Sequence, residues 1–276
     1  NQHNKNISPQ LLKYRTEIDT IDQEIIDLLD KRIEIVKNVG KYKASKQDKF
    51  FIKSAREADM IRNLIKKTDQ KIHKATIFLI WRKIITYANI LEQNITIGLL
   101  NSENDPHHQH YIKEYYNDFI DIKNYDNNNN LILDINKNKI QLAIFPAKNK
   151  SWWIDLAQQD NKFNIFAKIP FIKHKENNKD SELFIAAIKE PEKSYNDKTL
   201  LIIISENKAI EIEEIFSQKN IEFKILQEEV KKNNNYFLIQ INDFYNQNDQ
   251  LISDLNNNTK INKINIIGHY PTEINI

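Results

Sequence analysis

The chain has 276 residues, 40% of them hydrophobic, with 40 lysines and arginines against 38 aspartates and glutamates and a formal net charge of +2. This composition can fill two or three modest cores, the interleaved charges argue against nucleic acid as a partner, and no apolar run approaches membrane length. Cysteine is absent, which excludes disulfides and thiol catalysis, and the first eight residues are polar rather than a signal sequence, so we expect a cytoplasmic protein.

The first third of the chain is predicted to be helical. Between Pro9 and Gln93 there is one glycine and no further proline, and Ser8-Pro9 is a favourable helix start. A helix from Pro9 to about Ser45 would be about 55 Å long at 1.5 Å per residue. Its apolar residues recur every three or four positions and form one stripe, namely Ile18, Ile21, Ile25, Leu28, Leu29, Val36 and Val39. So long a helix must find partners to bury that stripe.

Two shorter helices are expected to follow. We predict one from about Ser54 to Lys67 and another from about Lys71 to Gln93. The apolar set of the third helix is Phe78, Trp81, Ile84, Ile85 and Leu91. Three helices with one overlong member favour an intertwined dimer.

Cationic residues are spaced along these helices in a way that suits a small dicarboxylate. Arg32 and Lys43 are eleven residues apart, which brings them to within about 20° of the same helix face and about 16 Å apart. Arg15 precedes Arg32 by about 25 Å along the helix axis and lies about 100° off the face that Arg32 and Lys43 share. It therefore cannot reach the same small molecule from the same chain. Taken one at a time, each of these cations fits a solvated surface charge better than a ligand site.

These segments resemble the all-helical class of bacterial chorismate mutases. The resemblance is carried by LLKYRTEIDTIDQEIIDLLDKRIEIVKNVGKYK (residues 11–43), AREADMIRNL (55–64) and IWRKIITYANILEQ (80–93). It implies the rearrangement of chorismate to prephenate in phenylalanine and tyrosine biosynthesis, without cofactor, metal or covalent intermediate. It also implies a homodimer in which Arg15 of one subunit completes the site of the other.

The resemblance assigns a role to each cation. Arg32 and the Arg15 of a second copy are expected to hold the two carboxylates, since a guanidinium grips a carboxylate through two parallel hydrogen bonds. Lys43 is expected at the breaking ether oxygen, where negative charge develops. By the same analogy Glu57 accepts a hydrogen bond from the substrate hydroxyl. Arg56 either fixes its own segment of the chain or pairs with negative charge on the ligand.

Three positions depart from the family pattern. Lys53 stands where many relatives have an acidic residue, and it could serve a ligand through its backbone N–H. Ala88 stands where many relatives have a hydroxyl side chain, so one hydrogen bond to the ligand is lost, which weakens binding by about 1 kcal/mol. Glu92 stands where an amide or carboxyl donates to the ether oxygen, so it must be protonated for that role, with burial favouring the neutral acid against the pull of Lys43. An ordinary glutamate at a helix end is the alternative for Glu92.

After Gln93 the pattern changes to short strands that alternate with helices. The predicted strands are ITIGLL (95–100), FIDI (119–122), IQLAIFP (140–146), FNIFAKIPFI (163–172) and ELFIAAI (182–188), with helix-like stretches at His110–Asn117 and Trp152–Gln159. From residue 196 onward the order is βαββαβ, a ferredoxin-like arrangement. The expected fold class is therefore α+β and multidomain: an all-helical mutase domain (1–94), a small α/β region (95–195) and a ferredoxin-like domain (196–276).

This layout is similar to fusions of the mutase with a prephenate dehydratase domain and a regulatory ACT domain. ILEQNITIGLL resembles the junction, DKTLLIIIS the entry to the ACT domain and IIGHYPTEI its exit. The Gly-rich loop, the Thr-Arg-Phe triplet and the phenylalanine-binding signatures of those enzymes are absent, and about 100 residues stand where nearly twice that number are usual. The tail is thus expected to be shortened and noncatalytic, similar to bacterial mutases with a Trp pair (Trp152-Trp153) and an Ala-Lys-Ile-Pro-Phe segment (167–171).

The remaining histidine, tryptophan and asparagine clusters can be explained without a function. His107, His108 and His110 beside Asp105 could bind a metal, but adventitiously, since no partner cluster accompanies them. Trp152-Trp153 fits core packing as well as stacking on a ligand. The asparagine runs at 127–130, 233–235 and 256–258 are expected in loops.

Three interpretations of function stay open at this point. The first is a dimeric chorismate mutase whose tail stabilises the dimer or binds a small-molecule regulator. The second is a bifunctional mutase and dehydratase with a diverged second site. The third is a helical dimer scaffold without chemistry, against which the joint presence of Arg15, Arg32, Lys43, Arg56 and Glu57 speaks.

Overall fold

The computed structural model describes residues 8–45, 52–68, 71–100, 105–148, 152–156, 163–173 and 182–275. They divide into two compact units, one built from α1 with residues 88–93 and the other from residues 52–87 together with those after 94. Among the described residues, no helix is both long and apolar enough to cross a membrane. The expected order, an all-helical segment followed by an α/β region, is confirmed.

The first unit is dominated by the long helix α1, Pro9–Ser45. Ser8 caps its start, because the Ser8 Oγ accepts a hydrogen bond from the backbone N–H of Leu11 at 3.3 Å. None of the 37 residues of α1 is fully buried, and the predicted apolar stripe is largely open, with Ile18 56% exposed and Leu28 63% exposed. Within the part of the chain that the structure describes, this stripe stays largely uncovered.

Two further helices complete the helical segment. They are α2, Ser54–Lys67, and α3, Lys74–Glu92, so α3 starts three residues later than predicted. On α3, Phe78 and Ile85 are buried as expected, whereas Trp81 and Ile84 are half-buried and Leu91 is 41% exposed. The ring of Phe78 lies 6.1 Å from that of Phe171, so α3 packs on the α/β region.

The α/β region carries six strands and three helices among the described residues. Its strands are β1 (Thr96–Leu100), β2 (Asp121–Tyr125), β3 (Leu142–Pro146), β4 (Phe163–Ile169), β5 (Ile172–Lys173) and β6 (Leu183–Ile188); its helices are α4 (Pro106–Tyr115), α5 (Asn128–Asn136) and α6 (Trp152–Leu156). Within the sheet the order is β2-β1-β3-β6-β4. Strand β1 is parallel to β2 and β3, and β6 is antiparallel to β3 and β4.

The ferredoxin-like region follows the predicted βαββαβ order. It comprises β7 (Asp197–Ser205), α7 (Ala209–Gln218), β8 (Phe223–Lys231), β9 (Asn234–Asn242), α8 (Gln250–Asn256) and β10 (Lys263–Pro271), followed by the short β11 (Ile274–Asn275). The strand order β10-β7-β9-β8 is antiparallel throughout. A short strand pair, β5 with β11, forms a separate small sheet.

The two regions share one sheet. Within the described residues, β4 and β10 pair in parallel and join both halves into a nine-stranded sheet, with Gly268 opposite Ile165 as the registered pair. A Cβ placed on Gly268 would lie 2.5 Å from the Ile165 carbonyl oxygen, so only glycine fits at this joint.

A hydrophobic core lies on each side of the shared sheet. Neighbouring residues of β7 point to opposite faces, Leu200 and Ile202 into one core and Leu201 and Ile203 into the other. The first core contains Trp152 and Trp153, each at most 1% exposed, so the tryptophan pair is core packing rather than a ligand platform.

Several local predictions were wrong, each for an identifiable reason. The asparagine run at 127–130 starts helix α5 instead of a loop, since the side chain of Asn127 accepts a hydrogen bond from the N–H of Asn130 at 2.9 Å and caps the helix. Helix α4 begins at Pro106, four residues before the prediction, with Asp105 as its cap.

The predicted strand at 163–172 divides at Pro170 into β4 and β5, and β2 begins two residues later than expected. Asn234 and Asn235 pair within the sheet as part of β9, not in a loop. The part of the predicted helix at 157–159 lies outside the described residues.

Candidate active site

Lys43 and Glu92, the two residues expected at one ether oxygen, lie together. The Lys43 Nζ is 3.3 Å from the Glu92 Oε2, and their side chains are 18% and 8% exposed. Lys43 comes from the last turn of α1 and Glu92 from the end of α3. The attraction within a partly shielded ion pair of this kind is stronger than between the same charges in water.

Gly40 makes this approach possible. A Cβ at Gly40 would lie 3.3 Å from the Glu92 Cγ, closer than most Cβ contacts in proteins. Gly40 is one turn before Lys43 on α1, so its bare backbone faces the same part of α3. The glycine inside an otherwise uninterrupted helical pattern therefore has a packing reason.

The other two cations of α1 differ in burial. Arg32 is half-buried and Arg15 is exposed. The exposure of Arg15 agrees with a residue that has to reach outside its own chain, but exposure alone is ordinary for an arginine.

Arg56 and Glu57 are adjacent on the first turn of α2 and face opposite environments. Arg56 is exposed, whereas Glu57 is buried at 7% exposure. The Glu57 Oε2 accepts a hydrogen bond from the Arg82 Nη1 at 2.7 Å, with the two side chains 9% and 1% exposed. Glu57 is therefore held by a buried, charge-assisted hydrogen bond between α2 and α3.

Arg82 is a residue that the sequence analysis missed. It is completely buried; its Nε donates to the Tyr115 carbonyl oxygen at 3.0 Å, and its guanidinium carbon lies 3.8 Å from the centre of the Tyr115 ring. Burial alone would lower the pKa of Arg82, but Tyr115 and Glu57 raise it. Its spacing from Phe78 and Ile85 places it on the apolar face of α3, and that position was the available signal.

The start of α2 is also held by residues after β6. The Lys189 Nζ donates to the Ile52 carbonyl oxygen at 3.2 Å and pairs with Glu192 at 3.4 Å, while Glu192 also pairs with Lys53 at 3.2 Å. Burial is the largest cause of the lowered pKa of Lys189. Lys53 thus stands in an ion-pair network, and its backbone carbonyl accepts the N–H of Glu57 at 2.9 Å.

The remaining predicted position, Ala88, is buried at 4% exposure and presents no hydrogen-bonding side chain. The arrangement around α2 and α3 can fix a carboxylate, and the end of α1 can place an ammonium beside a second carboxylate. Charged groups held in this way are suited to binding a polar ligand.

A separate charged cluster lies where the two halves of the shared sheet meet. Glu273 is 2.7 Å from Lys198, 2.8 Å from Lys173 and 3.6 Å from Lys168, and Glu182 is 2.8 Å from Lys168. Burial favours the neutral acid, but the three lysines outweigh it and hold the pKa of Glu273 well below its ordinary range. The cluster ties β4, β5 and β7 to the turn before β11.

The histidines at the start of α4 divide by burial. His108 is buried, with its Nε2 3.5 Å from the Asp105 Oδ2, whereas His107 and His110 are exposed. In the described part of the chain, no group of three or more metal-ligating side chains comes together.

Comparison with known proteins bears on the helical segment. Residues 14–93 match the family model of chorismate mutase type II, a span that contains every predicted site residue. No curated protein matches the chain.

Similar solved structures cover the part that follows. They include a prephenate dehydratase from Streptococcus mutans, 14% identical with a TM-score of 0.44, over 66% of this chain and 100% of that one. A protein titled as GqqA, a novel type of quorum quenching acylases, is 10% identical with a TM-score of 0.49 over 66% of this chain and 96% of that one. A prephenate dehydratase from Arthrobacter aurescens in complex with L-Phe is 10% identical with a TM-score of 0.45 over 64% of this chain and 90% of that one.

These structural likenesses are too distant to say anything of activity. The resemblance drawn from the helices, in contrast, is confirmed by an independent match over the same residues. The helical first third of the chain, residues 14–93, is thus the part that is similar to chorismate mutase type II.

Proposed function

We propose that the protein is a chorismate mutase that rearranges chorismate to prephenate. The observation that carries this proposal is the family match over residues 14–93, which includes all eight predicted site positions in their expected order. The reaction is unimolecular, so the protein has two tasks. It holds the enolpyruvyl side chain over the ring, and it stabilises the negative charge that develops on the breaking ether oxygen.

The roles follow the resemblance. Arg32 binds one carboxylate, and the exposed Arg15 serves a second copy of the chain. Lys43 stabilises the ether oxygen, Glu57 accepts the hydrogen bond of the substrate hydroxyl, and Arg56 contributes positive charge. Lys53 serves through its backbone N–H, and Ala88 lines the site without a hydrogen bond.

Glu92 donates to the same ether oxygen in its protonated form. The 3.3 Å distance between Glu92 and Lys43 supports a shared target for the two side chains. If the proton is required, the mutase rate falls as pH rises through neutrality, and Glu92→Gln gives a flatter profile. Equal pH profiles for the two proteins would contradict this role.

The working form is proposed to be a homodimer. The support is the open apolar stripe of α1, including Ile18 at 56% and Leu28 at 63% exposure, which a second long helix of the same sequence can cover. Such a pairing also delivers Arg15 to the other copy. We place this assembly in the cytoplasm.

The tail is proposed to be noncatalytic, with residues 95–195 a shortened dehydratase-like region and 196–276 an ACT-like domain. The support is the absence of the dehydratase sequence motifs together with the βαββαβ order of the last region. A small-molecule regulator bound by the tail remains a prediction of the resemblance. A bifunctional mutase and dehydratase is the alternative.

An NMR time course of the purified protein with chorismate, at one pH below and one above neutrality, tests the function directly. Formation of prephenate alone supports the mutase with a noncatalytic tail, whereas phenylpyruvate formed faster than in a control without protein supports the bifunctional enzyme. Unchanged chorismate at both pH values overturns the proposal in favour of a scaffold.

A pair of variants locates the activity. Lys43→Met should reduce kcat/KM by at least about 100-fold, since it removes the charge at the ether oxygen. Lys41→Met, two residues away on the same helix and exposed, should leave kcat/KM unchanged within about twofold. Equal losses in both variants would place the chemistry elsewhere.

A further inference from the structure

The ion pair between Arg82 and Glu57 is more elaborate than stability requires. Arg82 is 0% exposed and uses three features of its guanidinium at once: Nη1 on Glu57 at 2.7 Å, Nε on the Tyr115 carbonyl at 3.0 Å, and its flat face 3.8 Å from the Tyr115 ring centre. Buried ion pairs contribute little net stability compared with apolar residues of similar volume. What such a pair does supply is a fixed direction for the carboxylate.

Besides Glu57, Arg82 is held by a residue from outside the mutase helices. Tyr115 is the last residue of α4, which belongs to the α/β region. It is buried at 8% exposure and packs edge-on against Tyr116, 5.0 Å away. Glu57 on α2 is thus oriented by Arg82 on α3, which in turn is held by the buried pair Tyr115 and Tyr116 in the tail.

We propose that Arg82 is a positioning residue for Glu57 and that Tyr115 holds Arg82 in place, so that the α/β region helps to build the mutase site. This inference rests on the proposed function, because it assigns Glu57 its contact with the substrate hydroxyl. It gives the tail a direct part in the chemistry of the helical segment without a reaction of its own.

A second set of contacts acts on the same helix start. Lys189, 7% exposed and located just after β6, donates to the carbonyl oxygen of Ile52, two residues before α2 begins. Glu192 accepts from both Lys189 and Lys53. The first turn of α2, which carries Arg56 and Glu57, is therefore fixed by the tail through its backbone as well as through Arg82.

Kinetics of variants in the full-length chain test the proposal. Arg82→Lys keeps a charge but loses the planar fork, so kcat/KM for chorismate should fall about tenfold. For Arg82→Met the loss in kcat/KM should be larger, about 100-fold. Tyr115→Leu, which removes the ring that Arg82 stacks on, should cost several-fold more than Tyr115→Phe, which keeps it.

A matched control separates positioning from general damage. Lys83 is the next residue on α3 and also reaches α4, because its Nζ donates to the Lys113 carbonyl oxygen at 2.7 Å, but this contact is at the surface and does not touch Glu57. Lys83→Met should leave kcat/KM within about twofold of the unaltered protein. A loss equal to that of Arg82→Lys would overturn the proposal.

The decisive readout is coupling to Glu57. In a Glu57→Ala background, Arg82→Lys and Tyr115→Leu should change kcat/KM by less than about twofold, since the group they position is gone. Full additivity of the effects would show that Arg82 acts independently of Glu57 and would overturn the proposal. Should Arg82→Met fail to fold, Arg82→Lys and Tyr115→Leu give the same test.

The mutase activity and the positioning role of Arg82 are tested separately by these measurements. If the unaltered protein does not convert chorismate, the proposed function fails. If it converts chorismate and the Arg82 and Tyr115 effects are additive with Glu57→Ala, the function stands and the positioning role fails.

Discussion

Helices α1 and α2 carry most of the proposed cationic site, yet they are stabilised in opposite ways. The 37 residues of α1 include none that is buried, although its apolar residues follow a regular helical stripe. The 14 residues of α2 include six that are buried, among them Ala58, Ile61 and the charged Glu57. One helix keeps its apolar face open and the other is embedded in its own chain.

The difference shows that an amphipathic pattern predicts a buried face without predicting what buries it. For α2 the cover includes the ferredoxin-like region, since Arg62 donates to the carbonyl oxygens of Asn196 and Thr272 at 3.0 and 2.8 Å. The α/β region contacts the start of α2 through Lys189, which donates to the Ile52 carbonyl oxygen. For α1 we propose a second copy of the chain. The stability of α1 should therefore depend on protein concentration, and that of α2 should not.

The largest expected effect is on α1. Ile25→Glu places a charge in the open stripe, where Ile25 is 49% exposed in the single chain. Because each subunit of a dimer loses about 2 kcal/mol of apolar burial, the dissociation constant should rise by at least about 100-fold. Sedimentation velocity over a dilution series measures this.

Gln23→Glu is the matched control for that variant. It adds the same charge two residues away, about 200° around the helix, and should leave the dimer intact. Equal behaviour of the two variants, or a monomer for the unaltered chain, would contradict the assignment of the stripe to a second copy.

The next effect is on α2 and does not depend on concentration. Arg82→Met removes the buried ion pair with Glu57 and should lower the free energy of unfolding by about 3–5 kcal/mol. Urea unfolding followed by tryptophan fluorescence reports it, since Trp152 and Trp153 are buried. Arg56→Met, at the exposed neighbour of Glu57, should change the free energy by less than about 0.5 kcal/mol.

A third prediction concerns acid. The pKa of Glu273 is lower in the folded chain than in the unfolded chain. Its ion pairs therefore stabilise the fold fully at pH values above the unfolded-state pKa, and this stability is lost as the pH falls toward the folded-state pKa. The free energy of unfolding should decrease on acidification below about pH 5. Glu273→Gln should be less stable at neutral pH by about 2 kcal/mol and show a shallower acid slope.

The exposed Glu213 on α7 provides the comparison for this acid effect. Glu213→Gln should keep the unaltered protein's acid slope. An unchanged slope in Glu273→Gln would mean that other carboxylates are responsible for the acid sensitivity.

The smallest effect is expected at Gly40. Alanine there should favour helix by about 1 kcal/mol, yet its Cβ would meet the Glu92 Cγ at 3.3 Å and displace that carboxylate. We expect thermal stability to be kept or raised while kcat/KM falls a few-fold, about 1 kcal/mol in the barrier. Asn38→Ala, on the same helix but exposed, should show the gain in stability without the loss in activity.

Much of the helical segment could be predicted because its information is local. The start and end of α1 and of α2 agree with the sequence, and the pairing of Lys43 with Glu92 fits the roles that the resemblance assigned. Arg82 could not be recognised as part of the site in the same way, because its partners Glu57 and Tyr115 are 25 and 33 residues away. Such contacts depend on tertiary packing, not on spacing.

The tail shows the same limit. Its strands were found from β-rich runs, and α5 was missed because asparagines suggest a loop unless one of them caps a helix. The pairing of β4 with β10 across regions expected to be separate had no local signature. Parallel pairing between distant strands is set by the fold as a whole.

That pairing has a consequence for anyone who divides this chain. Cutting between the α/β and ferredoxin-like regions would expose β4 on one fragment and β10 on the other, each an apolar strand with a row of unpaired backbone groups. Open edges of this kind pair with other chains and lead to aggregation. The boundary that looks natural in the sequence is thus a poor place to separate the protein, and a soluble fragment has to keep both sides of the Gly268 joint.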